Sequence, residues 1–127
     1  MISSNKISIL FLIGILLIVN SVFFVSALTP VSNCEQLQGM NNSLSESYYL
    51  TKDIDCSDTI NWNGGAGFKP VGNETSKFIG TFDGRGYTIS NLYINRPDDG
   101  YVGLFGYTNA LTISNVGLIN LNISGFF

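Results

Sequence analysis

The chain has 127 residues, 45% of them hydrophobic and only 12% charged, with six basic and nine acidic side chains and no histidine. That length allows one domain. The basic residues are few, scattered and outnumbered, which excludes a nucleic-acid backbone as partner, because phosphates are held by clustered Lys and Arg. Without histidine, Ser-His-Asp and Cys-His catalysis and His-bearing zinc sites cannot be assembled.

Residues 1–27 read as a secretory signal peptide. A short polar start with Lys6 leads into an apolar run over residues 7–25, and Val25-Ser26-Ala27 supplies small residues for cleavage after Ala27. The alternative is an uncleaved N-terminal anchor, since the run approaches bilayer-spanning length. Either reading exports the remainder, which carries five basic and nine acidic residues and a charge of about −4. Secretion or display at the cell surface is the expected location.

Residues 28–76 read as a lead-in segment followed by a Gly-rich loop. A short helix is expected around residues 35–40. Cys34 and Cys56 are the only cysteines, and in an oxidising compartment they are expected to pair, with two separate buried thiols as the alternative. Closing that loop restricts the unfolded chain by roughly 3 kcal/mol on the loop-entropy model. Leu50, Ile54 and Cys56 share one face of an expected strand, with Asp53 and Asp55 on the other. Residues 61–76 are rich in Gly, Asn and Pro and read as a loop.

Residues 77–127 are regular. Thr88-Ile89-Ser90-Asn91 reappears 24 residues later as Thr112-Ile113-Ser114-Asn115, the mark of a stacked repeat. The inward apolar phase slips from two to three at Asn91, Asn115 and Asn120. Asn tolerates left-handed backbone, so each slip marks a corner of a coiling chain. The predicted fold is all-β: a single-stranded parallel β-helix with Ile89 beneath Ile113 and Asn91 beneath Asn115, about 4.8 Å apart. A β-sandwich is the alternative.

Phe78-Ile79-Gly80-Thr81-Phe82-Asp83-Gly84-Arg85-Gly86-Tyr87-Thr88-Ile89-Ser90-Asn91-Leu92, Val102-Gly103-Leu104-Phe105-Gly106 and Ile113-Ser114-Asn115-Val116-Gly117-Leu118 together resemble GLUG-motif proteins. The resemblance implies exported bacterial and archaeal surface proteins, adhesin-like, whose repeats form a right-handed β-helix; some relatives are secreted peptidases with their chemistry in other domains. Only one clear GLUG unit is present. The ending Gly125-Phe126-Phe127 is a poor cap for an open coil, so a truncated piece of a longer array is expected. Further coils of its own chain, or edge-to-edge self-association, would then meet the last coil.

Chemistry-bearing residues are sparse. Asp53, Asp55 and Asp58 are the densest carboxylates; the first two, about 7 Å apart on one strand face, are weak candidates for calcium and for polysaccharide lyase or hydrolase chemistry. The plainer reading is a solvated strand face and a turn. Asp83 reads as a turn residue paired with Arg85 at the surface. Trp62 is the binding candidate, an aromatic platform for a glycan or a surface protein, or else a lid on a small core. Asn41, Asn73 and Asn122 open sequons for N-glycans. The expectation is a non-catalytic scaffold without cofactor, the alternative being the N-terminal part of a larger secreted enzyme whose catalytic residues lie elsewhere.

Overall fold

Short apolar alternations bounded by Asn and Gly become short strands in the computed structural model, which describes Val22 and residues 26–126. The leader proposed for residues 1–27 therefore lies almost wholly outside the described residues. In chain order come β1 (Leu28–Val31), α1 (Cys34–Gly39), a 3-10 turn (Met40–Asn42), β2 (Ser47–Leu50), β3 (Ile54–Asp55) and two further 3-10 turns (Ser57–Asn61 and Asn63–Gly65). Then follow β4 (Thr81–Asp83), β5 (Thr88–Ser90), β6 (Tyr93–Arg96), β7 (Thr112–Ser114), β8 (Gly117–Ile119) and β9 (Asn122–Gly125). Among the described residues the fold is all-β, with one short α-helix.

Every ladder between these strands is parallel, and the strands fall into three sheets ordered β1-β2-β4-β7, β3-β5-β8 and β6-β9. The chain visits the three sheets through β4, β5 and β6, then again in the same order through β7, β8 and β9. Phe82 pairs with Ile113, Ile89 with Leu118 and Ile94 with Ile123. The hairpins of a β-sandwich would give antiparallel pairs instead.

That register corrects the predicted stacking. Ile89 lies beside Leu118, not Ile113, and the two Thr-Ile-Ser copies sit in different sheets. One pass from β4–β6 to β7–β9 takes 29 to 31 residues, so the 24-residue spacing is not the pass length. The copies resemble each other because each is a three-residue strand running into an Asn corner, and that local requirement is met more than once per circuit.

The corners themselves are where the phase slips placed them. Asn91, Asn115 and Asn120 have φ of 58°, 56° and 52°, the left-handed region that Asn enters more readily than most residues. The expected single strand across Leu50 and Ile54 is instead broken: β2 ends at Leu50, residues 51–53 turn, and β3 starts in another sheet. Leu50, Ile54 and Cys56 all still point inward and are buried. Close approach of successive passes needs a glycine at Gly84, where a Cβ would meet Val116 Cα at 2.6 Å.

A single buried cluster runs from Val31 to Leu104, through Leu37, Phe68, Val71, Phe78, Phe82, Ile89, Leu92 and Ile94. It crosses the boundary drawn at residue 76. The Gly-rich stretch belongs to it: Phe68 and Val71 are fully buried, and Val71 forms a parallel bridge to Phe105. The β1 end of the stack is closed. Asn33 caps α1 by accepting a hydrogen bond from the Gln36 amide at 2.8 Å, α1 buries Leu37, and Pro30 lies in β1 at the sheet edge. A disulfide joins Cys34 of α1 to Cys56, with Cα atoms 5.4 Å apart, as expected from the sequence.

Candidate functional site

The predicted carboxylate group is dispersed by its hydrogen bonds. Asp53 accepts from the Thr88 amide and hydroxyl, at 2.9 and 3.2 Å. Asp55 accepts from the Ser57 amide and hydroxyl and from Asn91 Nδ2, the last at 2.9 Å. The two carboxylates therefore hold opposite ends of the β5 segment in the neighbouring pass. Among the described residues, no group of three or more His, Cys, Asp or Glu is placed to share a metal ion.

Asp55 begins a polar ladder along the outside of the corners. Asn91 donates to Asp55, and Asn120 Nδ2 donates to Asn91 Oδ1 at 2.6 Å, so one residue from each of three passes takes part. A second rung pair forms where Asn115 Nδ2 donates to Asp83 Oδ1 at 3.1 Å. The anticipated Asp83–Arg85 ion pair does not form. Asp83 accepts the Arg85 backbone amide at 2.9 Å, while the Arg85 guanidinium lies 3.6 Å from the Tyr49 ring centroid, a cation–π contact. Asn115 therefore stacks on Asp83, not on Asn91.

Both ladder carboxylates titrate below the ordinary aspartate value. For Asp55 the main cause is the Asn91 amide, followed by the Ser57 backbone amide. For Asp83 it is the Arg85 backbone amide, followed by Asn115. A depressed folded pKa adds stability above the unfolded value of 3.8, and that contribution is lost as pH falls through the folded value. Thermal melts are therefore expected to move little through the ladder between about pH 7 and 5 and to fall below about pH 4, with Asp55→Asn flattening the acid limb. An acid limb equally steep in Asp55→Asn would show that Asp55 is not its source.

The other candidates separate by environment. Trp62 is half-buried and packs against the core, which leaves only part of its ring to solvent. Asn41 is structural: its Nδ2 donates to the Gln38, Lys69 and Pro70 carbonyls and its Oδ1 accepts from the Gly72 amide. A glycan on that nitrogen would break those bonds. Asn73 and Asn122 are exposed. Tyr101 is 60% exposed and lines a concavity; in the sequence it is one of four tyrosines, with Tyr87, Tyr93 and Tyr107, that read either as an exposed aromatic surface or as cross-strand packing.

At the other end of the stack the last pass is open. Ile113, Leu118 and Leu121 are 37%, 44% and 39% exposed, whereas Phe82, Ile89 and Leu92, their counterparts one pass earlier, are fully buried. Among the described residues, β7, β8 and β9 each pair on one side only. No charged residue occurs from Gly103 to the end of the sequence, so the edge has none of the charges that normally blunt a sheet edge.

Three curated proteins show similarity. Halomucin of Haloquadratum walsbyi is 43% identical over 104 residues, covering 75% of this chain and 1% of its own length. A Gly-rich membrane protein of Evansella cellulosilytica is 36% identical over 98 residues, 75% of this chain and 11% of its length. The immunoglobulin A1 protease of Streptococcus sanguinis is 34% identical over 101 residues, 80% of this chain and 5% of its length. No protein-family profile and no solved structure matches the chain. Among the described residues, no helix is long and apolar enough to cross a membrane. The chain thus spans a small fraction of the relatives it matches, and these are surface-associated, membrane or secreted proteins.

Proposed function

We propose that this chain is a non-catalytic, exported scaffold module of the adhesion type, wound as a right-handed parallel β-helix of the GLUG kind. The observation that carries the reading is the repeated order of the three parallel sheets, in which β7, β8 and β9 return to β4, β5 and β6 after 29 to 31 residues. A chain that returns to the same sheets in the same order winds a solenoid, and crossovers between parallel strands of one sheet are right-handed in nearly all proteins. Export is supported by the leader-like start, the paired cysteines and the surface or secreted nature of the relatives.

The partner we assign to the open last pass is a further pass of a longer chain. Half-exposed Ile113, Leu118 and Leu121 would each be covered by it, as Phe82 and Ile89 are covered by the pass above them. Membership of a larger secreted enzyme is the second reading, favoured by the match to a protease of which this segment spans 5%. In that case the segment is a carrier for chemistry held elsewhere, since it contains no histidine and no unpartnered cysteine.

Expression with residues 1–27 intact in a secreting host tests the reading. The chain is expected outside the cytoplasm with Cys34 and Cys56 oxidised, and inactive on polysaccharides with or without calcium. Cytoplasmic retention with free thiols would refute export. Calcium-dependent sugar cleavage abolished by Asp53→Asn with Asp55→Asn would overturn the non-catalytic assignment.

A further inference from the structure

A groove of about 440 Å³ lies between residues 69–74 of one pass and residues 96–102 of the next. Its volume is in the range of small-ligand sites. Both walls are fixed by the stack: the Val71 amide donates to the Leu104 carbonyl and the Gly106 amide to the Val71 carbonyl, each at 2.9 Å, and the Phe126 amide holds the Asp99 carbonyl at 3.0 Å. Arg96 is pinned at its floor by Asp99, 3.5 Å away, and by the Phe68 carbonyl.

Tyr101 stands at the rim in a conformation that a packing role does not explain. Its φ is 58°, a region that bulky side chains rarely enter. Gly100, immediately before it, keeps an ordinary φ and lies exposed. The left-handed turn therefore falls on the tyrosine although a glycine is one residue away. Its ring is supported edge-on by Tyr107, 5.1 Å between centroids and 72° between planes, and Tyr107 in turn carries the Lys77 ammonium at 4.9 Å. The result is a displayed aromatic face held in place without being buried.

The rest of the lining combines planar polar groups of both signs. Lys69 and Arg96 face Glu74, Asp98 and Asp99, a slight acidic excess that disfavours a phosphate, sulfate or uronate. Asn73 uses Oδ1 to accept from the Thr75 and Ser76 amides, at 3.0 and 2.8 Å, which leaves its Nδ2 as a donor. Carboxylates, an amide and a guanidinium offer paired acceptors and donors that match vicinal hydroxyls, and an aromatic face takes the apolar C–H side of a sugar ring. We propose that this groove binds a neutral oligosaccharide, with Tyr101 as the stacking platform and Asn73, Glu74 and Asp98 as hydroxyl partners.

Calorimetric titration of the full chain with neutral hexasaccharides of β-glucan, α-glucan and mannan type, and with an oligogalacturonate as the acidic comparison, tests this. At least one neutral hexamer is expected to bind with a Kd of about 1 mM or tighter, weakened about tenfold or more by Tyr101→Gly and much less by Tyr101→Trp. Because glycine relieves the positive φ and so offsets the lost Tyr107 contact, Tyr101→Gly should melt within about 5 °C of the wild type, so lost binding cannot be put down to unfolding. No heat with any neutral hexamer up to about 10 mM, binding unchanged in Tyr101→Gly, or preference for the acidic sugar would each overturn the assignment. None of these outcomes depends on export.

Discussion

Replacing Cys34 and Cys56 together by alanine is expected to destabilise the protein by about 3 kcal/mol, the loop-entropy value for a ring of 22 residues. For a domain of this size that corresponds to a fall in melting temperature of roughly 10–25 °C. The physical reason lies at the closed end of the stack. α1 covers the core with Leu37 alone as its fully buried apolar side chain, a six-residue helix has little intrinsic stability, and its cap contributes about 1 kcal/mol. The bridge ties that helix to the start of the Ser57–Asn61 turn, beside β3. Thermal melts of the double variant and of the reduced wild type should agree, because the alanines remove little else. A shift under about 3 °C in both would mean that β1 and α1 dock without the bridge.

How much of this was legible in the sequence depends on the range of the interaction concerned. Asn91, Asn115 and Asn120 were readable as corners because a left-handed residue leaves a local trace, a slipped apolar phase beside an Asn. The disulfide was readable because two cysteines leave one pairing. Stacking register was misread: Thr88-Ile89-Ser90 and Thr112-Ile113-Ser114 look like neighbours but belong to different sheets, since the true pass length depends on loops whose sequences do not repeat. The destination of Asp53 and Asp55 was hidden for the same reason, as their partners Thr88 and Asn91 lie about one pass away. Tyr101 was legible only as one of four tyrosines, with Tyr87, Tyr93 and Tyr107, in a surface that cross-strand packing explained equally well; its left-handed backbone was not legible. A positive φ on tyrosine is imposed by the loops around it, and side-chain periodicity carries no record of it.

Phe82→Ala carries the largest expected single-site effect, about 3–5 kcal/mol, which is comparable with the whole stability of a small domain. Phe82 is fully buried in β4, paired between Tyr48 below and Ile113 above, with its ring 5.4 Å from that of Phe105 in an edge-to-face arrangement. Removing it opens a cavity bounded by rigid strands, which cannot collapse without shifting the stack. Ile113→Ala removes the side chain directly above it, yet Ile113 is 37% exposed, so about 1 kcal/mol is expected. The contrast between these two positions in one column is the diagnostic quantity. If the last pass is covered in a longer chain, Ile113→Ala should there become severalfold more damaging while Phe82→Ala stays unchanged. Denaturant melts of both variants in this chain and in one extended by a further pass would measure it; an equal cost for Ile113→Ala in the two contexts would show that the open edge is not where the next pass docks.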